Sequence, residues 1–534
     1  MISYRKVKDY GWNVFFLLTI IIGLLGIWIM INNLQQPLLE AHGFRQTQTA
    51  LTAYYFLHEG WQLNYQTPVA GYPWSIPFEF PLYQLLVALI SSVGGFQLGS
   101  VGRLVSFSLL IACSWPAIKI TERLNLSKDV GWIFCALLWS SPLYLFYGRS
   151  FMIETAALFF TLCAIPYFID LLNAKPGWKS LILFSIWMTL GMLQKITTAF
   201  PVMFIFGIVF LIDYLKTNGL KILLSRKITK LLLAFLISTF FGGFWAIYTD
   251  FIKSKNLLGM QLLSKTLTEW NFGTINQRFD LQVLKTIFWD RVILNNAGGI
   301  LGILLLICLF MFAEKRVKKI VGISIVMFIL PIYIFINLHF IHDYYQISST
   351  IFLIFALAVS IKYAFQKFSK NNLIVLTLSI FFVSCNLFQF VNGYANYLKA
   401  PIDEINNKTL AVSNIVRTYT DKNSAIVVFG YDWSSEIAYY SERKSFTVPE
   451  WFVQYNDVWN DPAAFLGDKK LGAVIYCGIE ITEKPKFMQY YESTHEKSPK
   501  LFKTHDCLIW IPEVTKTIHP NEKQESYLIS EFHD

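Results

Sequence analysis

About eleven stretches of this 534-residue chain are apolar runs with almost no interrupting charge, and no other feature restricts the fold as strongly. They fall near 12–34, 103–121, 130–148, 151–172, 179–194, 196–215, 231–252, 298–313, 317–338, 345–364 and 372–391. Crossing the hydrocarbon core takes roughly 20 apolar residues per helix. Inside lipid a backbone must satisfy its own hydrogen bonds, which leaves the α-helix as the element such runs can form. With 54% apolar and only 15% charged residues, the composition excludes an ordinary soluble globule. The fold class expected is a polytopic α-helical membrane protein. Basic residues precede the first run, but no small-residue cleavage pattern follows it, so this span is expected to be retained.

Lysine and arginine placement orients the spans. A further apolar stretch, 81–97, would reverse everything after it if it crossed. Read instead as an interfacial helix, it leaves one side with Arg5, Lys6 and Lys8; Lys119, Arg123 and Lys128; Lys175 and Lys179; Lys216 to Lys230; Lys315 to Lys319; and Lys362 to Lys370. That side is the cytoplasm. The formal charge of +10 is thus largely a topology signal and gives no reason to expect a nucleic-acid partner. All eight histidines fall on the opposite, exported side.

Near 392–400 the composition turns polar, which divides the chain into a membrane domain, 1–391, and an exported domain, 392–534. Ala425–Gly430, Ala473–Gly478 and Cys507–Ile511 read as strands, with helix-like segments near 403–420, 433–442 and 484–496. Alternation of this kind predicts a small α/β domain with a core of its own. Cys477 and Cys507 lie in two of the strands and could pair in an oxidising compartment, whereas the other five cysteines lie in spans. The last fifteen or so residues are polar and read as a disordered tail.

Reactive residue types gather at the exported ends of the spans. The loop after the first span reads Leu39-Glu40-Ala41-His42-Gly43-Phe44-Arg45-Gln46 and later Pro77-Phe78-Glu79-Phe80-Pro81. Glu40, His42 and Arg45 could not share one helix face, although His42 and Arg45 could. Glu79 is an acid framed by aromatics and prolines. Arg149 and Glu154 lie in a tight turn between two spans, where an ionised group needs a partner or water. Lys195 interrupts two spans, and His342-Asp343-Tyr344-Tyr345 opens another. The bland alternatives are a water-boundary acid at Glu40, helix N-terminal charge compensation at Glu79, an ion pair of Glu154 with Arg149 or another cation, a snorkelling Lys195 and aromatic-belt tyrosines.

Taken in order and sidedness, these motifs resemble membrane glycosyltransferases of the C-type fold. The resemblance is to the family 39 group, which includes protein O-mannosyltransferases and the lipid A aminoarabinose transferase, and it covers roughly residues 1–390. Members open the first exported loop with an Asp-Glu pair, where this chain has Leu39-Glu40. Phe78-Glu79-Phe80-Pro81 resembles the later acidic motif, and Arg149 to Glu154 resembles the acidic turn of the second exported loop. Lys195 and Tyr344-Tyr345 match positions that hold the donor phosphate.

The resemblance implies an inverting glycosyltransferase that moves a sugar from a polyprenyl-phosphate donor to a lipid, glycan or protein acceptor at the outer face of a bacterial inner membrane. Glu40 and Glu154 are the expected catalytic carboxylates, with Leu39 removing the first acid of the pair. His42, Arg45, Glu79, Arg149, Lys195, His342, Asp343, Tyr344 and Tyr345 are the expected substrate contacts. No cofactor is required by this chemistry, and Glu79 with His342 could hold a divalent ion. The competing class is a transporter or flippase of a lipid-linked saccharide, which would place charges and broken helices near the bilayer midplane in related halves.

Overall fold

The computed structural model of the protein describes residues 13–172, 177–218, 226–366, 372–399, 403–478 and 500–514. Each of the eleven apolar runs is helical. By length and composition, seven of the described helices can each cross a membrane, or eight if a bent pair counts as one broken span. The smaller number has local causes. Pro142 divides one run into Lys128–Ser140 and Pro142–Tyr147, and Lys195 separates Trp178–Gln194, only 17 residues long, from Ile196–Asn218. The bent pair joins Leu281–Asn296 to Ile300–Phe312 at 87°. Gly298 and Gly299 make this bend with φ of 68° and 64°, a region that a side chain would strain.

Helix Leu82–Gly94, inside the ambiguous 81–97 stretch, has 13 residues. At 1.5 Å per residue it is about 20 Å long, too short for a hydrocarbon core of about 30 Å. It lies beside helix Gly43–Glu59 in the loop that follows the first span.

Apolar periodicity decides which faces meet. The first span, Val14–Asn32, buries Phe15, Thr19, Ile22, Gly26, Ile29 and Met30 at three- and four-residue spacing, against Lys128–Ser140. Asn13 caps it, and Thr19 donates to the Trp132 carbonyl at 2.8 Å. Leu17, Ile21, Leu24, Trp28 and Ile31 on the other face are exposed, as residues facing lipid would be. The span Asp343–Tyr363 is the central one, its apolar window 94% buried by its neighbours. At the end carrying the basic clusters, Lys362 pairs with Asp129 at 2.5 Å and Arg123 with Asp170 at 2.8 Å.

The second domain is an α/β layer with more strands than the sequence reading found. They are β1 (Ala425–Phe429), β2 (Lys444–Val448), β3 (Leu471–Cys477), β4 (Lys500–Thr504) and β5 (Cys507–Ile511). Their order is β2-β1-β3-β5-β4, with β1 parallel to β2 and β3, and β5 antiparallel to β3 and β4. Helices Lys408–Tyr419 and Glu436–Ser441 accompany the sheet, and the segment expected near 484–496 lies outside the described residues, as does the tail. Cys477 and Cys507 face each other across β3 and β5 and form a disulfide.

One side of the sheet has the expected core of the domain's own, with Val412, Val416, Ile426, Val428, Ile475 and Ile509 in it, but the core on the other side is shared. Pro68 and Val69 of the first exported loop accept hydrogen bonds from Ser445 and Thr447 at 3.0 and 2.9 Å, and Gly71 donates to Ser445 at 3.2 Å. The loop therefore covers the free edge of β2, which would otherwise present unpaired backbone groups. Ala70, Trp74, Ile76 and Leu258 pack in one cluster with Val427, Phe429, Phe446 and Trp459. A sequence reading sees two compositions here, but the apolar residues that complete the sheet's core come from the membrane domain's loops.

Helix Glu436–Ser441 rests on helix Gly43–Glu59, with Ser435 donating to the Phe44 carbonyl and bonded to Thr47. The Glu436 carboxylate comes within 2.8 Å of where a β-carbon on Gly43 would be, so no larger residue fits without displacing it. Burial raises the Glu436 pKa from the ordinary 4.5 to about 7. The folded state therefore holds a proton that the unfolded chain releases at lower pH. Its stability contribution is complete below pH 4.5 and lost as pH rises to about 7. Thermal melts of wild type between pH 5 and 8 should show this decline, and Glu436→Gln should flatten it.

Candidate active site

Three clusters of charge occupy the end of the bundle opposite the basic clusters, and the loop after the first span contributes to all three. The loop leaves the first span and is held at Leu38, whose N–H donates to the Tyr440 hydroxyl at 2.6 Å. Two residues later Glu40 turns inward. Arg149 grips it through Nη1 to Oε1 at 3.2 Å and Nη2 to Oε2 at 2.9 Å, and Arg103 approaches the same two oxygens at 3.4 and 3.2 Å. Arg103 also donates to the Gln36 and Pro37 carbonyls at 3.1 Å. The Glu40 side chain is 0% exposed and each arginine 1%. Burial lowers the Arg149 pKa to about 10 against the opposing pull of Glu40, which leaves it charged at neutral pH.

His42 then adopts the left-handed conformation, φ 56° and ψ 42°, and starts helix Gly43–Glu59. This reversal sends the next two side chains elsewhere. Arg45 meets Glu79 in a short ion pair and donates to Gln48 at 2.5 Å. Burial alone would lower the Arg45 pKa, but Glu79, Tyr344, Glu154 and Tyr345 together raise it above its usual value. Glu79 is held by its neighbours: Tyr65 donates to its carbonyl, Trp245 donates to the Phe78 carbonyl, and Phe80 N–H donates to Leu193. Leu193 lies just before Lys195, the extended residue between two helices. Lys195 Nζ donates to Glu154 Oε1 at 2.6 Å and lies 4.1 and 5.2 Å from the Tyr345 and Tyr344 ring centres. Arg45, Glu79, Glu154, Lys195, Tyr344 and Tyr345 thus form the second cluster.

The third cluster surrounds Asp343. His42 Nε2 lies 2.9 Å from its Oδ1, while the Tyr147 and Tyr394 hydroxyls donate to the two oxygens at 2.6 and 3.0 Å. His342 is 5.2 Å from His42 between ring centres. Burial, with His42 and Arg45 nearby, pushes the His342 pKa down to about 4, so it is neutral at physiological pH. Arg291 donates to the His339 and Phe340 carbonyls and anchors the turn leading into this cluster.

All the residues expected at the site therefore reach one end of the bundle, but not one constellation. Glu40 and Arg149 form a dry group with Arg103. Of the two partners weighed for Glu154, Arg149 or another cation, the second is found: Lys195 pairs with Glu154, and Arg149 pairs with Glu40. Glu79 and His342, the pair weighed for a divalent ion, belong to no cluster of three or more His, Cys, Asp or Glu side chains among the described residues. Arg103 was missed because it heads an apolar run and resembles a boundary charge. Tyr147 and Tyr394 were missed because only the fold brings them to Asp343.

Leaving Arg103 and Arg149 buried without their carboxylate should cost about 3–5 kcal/mol. Glu40→Gln is accordingly expected to melt well below wild type in detergent, with the loss of folded protein exceeding any loss of turnover per folded molecule. Differential scanning fluorimetry beside single-turnover assays measures both.

Residues 16–258 match the family model described as dolichyl-phosphate-mannose-protein mannosyltransferase. No curated protein sequence matches the chain. Among solved structures, ArnT from Cupriavidus metallidurans bound to undecaprenyl phosphate superposes with a TM-score of 0.59 at 9% identity, covering 92% of this chain and 97% of that one. The apo oligosaccharyltransferase of Archaeoglobus fulgidus gives 0.54 at 11% identity, covering 93% and 74%. Arabinofuranosyltransferase AftD from Mycobacteria gives 0.52 at 11%, covering 97% and 41%. With its apolar helices, this family match and these shared architectures, the chain is an integral-membrane glycosyltransferase of the C-type fold.

Proposed function

We propose that the exported cluster transfers a sugar from a polyprenyl-phosphate carrier to the hydroxyl of a lipid, glycan or protein acceptor, with inversion at the anomeric carbon. The observation that carries this reading is the pair of cations, Lys195 and Arg45, gathered with Tyr344 and Tyr345 at the end of the central span. A lipid-linked donor presents its phosphate at that depth. When the anomeric bond breaks, phosphate gains negative charge, and pre-placed cations in a poorly solvated site stabilise that change more than the ground state. Glu154 holds the Lys195 ammonium, and Glu79 holds the Arg45 guanidinium, so neither cation has to be organised during the reaction. A single in-line displacement inverts the centre, in contrast to the double displacement of retaining glycosidases.

In this reading Glu40 changes role. Both its oxygens are occupied by guanidinium groups in a dry pocket, which suits an anchor for the loop rather than a proton acceptor. The similarity to a structure bound to undecaprenyl phosphate supports a polyprenyl-phosphate donor. The Cys477–Cys507 disulfide and the basic clusters at the opposite end support an exported site in the inner membrane.

Charge-assisted contacts to phosphate are worth about 1.5–3 kcal/mol each. Lys195→Ala is therefore expected to weaken undecaprenyl-phosphate binding by about 10-fold or more, measured by calorimetry in detergent, and Arg45→Ala by a similar factor. Unchanged affinity in both would remove the phosphate site from this cluster. For the topology, a cysteine introduced at Arg316 should resist an impermeant maleimide added to intact cells, and one at Val453 should react.

A further inference from the structure

Removing the acceptor proton needs a group with a free lone pair that an entering hydroxyl can reach. Glu40 is clasped on both oxygens by Arg103 and Arg149; Glu154 holds Lys195 through Oε1, and its unpaired Oε2 is buried; Glu79 holds Arg45 through Oε1. Asp343 already accepts from His42, Tyr147 and Tyr394. His42 is different. Its Nε2 is turned to Asp343, an arrangement that puts the ring proton on Nε2 and leaves the lone pair on Nδ1. The side chain is 19% exposed, against 0% for Glu40 and 3% for Glu154, while Glu79, at 23%, is engaged in its ion pair with Arg45.

Resting on the glycosyltransferase reading above, we propose that His42 is the general base of the transfer, and that Asp343 is the positioning residue that orients it. The acceptor hydroxyl oxygen attacks the anomeric carbon and forms the new C–O bond. The bond from that carbon to the phosphate oxygen breaks, and its electron pair leaves with polyprenyl phosphate. The hydroxyl proton passes to His42 Nδ1, and Asp343 offsets the charge of the resulting imidazolium.

Three observations support this assignment. His42 and Lys195 both lie against Tyr344, the His42 ring centre 4.8 Å and Lys195 Nζ 5.2 Å from the Tyr344 ring centre, so the base and the phosphate ligand belong to neighbouring parts of one site. Asp343 is itself fixed by two tyrosine hydroxyls, so the imidazole is oriented by a carboxylate that cannot readily turn away. Finally, His42 holds a positive φ that only the surrounding structure maintains, and such conformations collect at functional sites. The loss of the usual first acid at Leu39 leaves room in the chemistry for another base.

The test uses purified full-length protein with radiolabelled undecaprenyl-phosphate mannose, glucose, galactose and aminoarabinose, and solubilised bacterial membrane lipids and glycans as the acceptor pool. Release of undecaprenyl phosphate is followed in single turnover. His42→Gly suits the left-handed backbone and opens a space for an added base. It should slow the chemical step about 100-fold or more, the range of general-base catalysis. Binding of undecaprenyl phosphate and the melting temperature should stay near wild type, and added imidazole should restore rate in a saturable way. His42→Gln should be equally slow without rescue, and Asp343→Asn should lower the rate while leaving donor affinity in place. A His42→Gly rate within about threefold of wild type, or a folded variant whose loss imidazole does not restore, overturns the assignment of His42 alone. Wild-type protein that releases no undecaprenyl phosphate from any of the four donors overturns the donor reading and this base with it.

Discussion

One carboxylate held between two buried guanidinium groups organises the end of the bundle that carries the site. Glu40 is on the loop, Arg103 lies inside helix Leu98–Ala112, and Arg149 lies in the turn before the Glu154 helix, so a single ionic contact fastens three separate pieces of chain. The desolvation of three charges is costly, and Coulomb attraction offsets it only where geometry and extra hydrogen bonds are good. Here both arginines use two nitrogens on the carboxylate, and Arg103 spends further donors on the Gln36 and Pro37 carbonyls. With this joint in place, the loop emerges at a fixed point, and His42 and Arg45 can be directed to different partners within one turn.

The charged residues at the site then divide by exposure. The buried group is held entirely by protein, whereas His42, Asp343, Arg45 and Glu79 retain partial access to solvent. Lys195 and Glu154 occupy an intermediate place, buried but beside the Tyr344 and Tyr345 rings. Charges fixed in this way give an electric field that exists before substrate arrives, which is where much of an enzyme's advantage over water originates.

The helices were legible in the sequence because lipid imposes a length and an apolarity that few other folds require. The failure of 81–97 to span was legible too, since the basic clusters disagree with a crossing there, and its helix has only 13 residues. The partnerships were much less so. Glu40, His42 and Arg45 were recognised as unable to share a helix face, but nothing local says that they find Arg103, Asp343 and Glu79. Those contacts span 63, 301 and 34 residues of sequence and depend on how the spans pack. β2 and β4 escaped notice because each is a five-residue strand with a lysine at its start. The shared core escaped because apolar residues in a loop between spans look like membrane residues.

The strand-edge contact between Pro68–Gly71 and Ser445–Thr447 has a consequence for how the protein is made. The first partner leaves the ribosome several hundred residues before the second, and at 5–20 residues per second the delay is on the order of tens of seconds. During that interval the loop bearing His42 and Arg45 lacks the surface that supports it, because Ser435 and Tyr440 arrive with the same late domain. A nascent chain can insert its spans in order, but the pocket takes its final shape only once the distal domain has folded and closed over the loop. An incomplete chain would thus expose no finished site to the lipid-linked sugars around it.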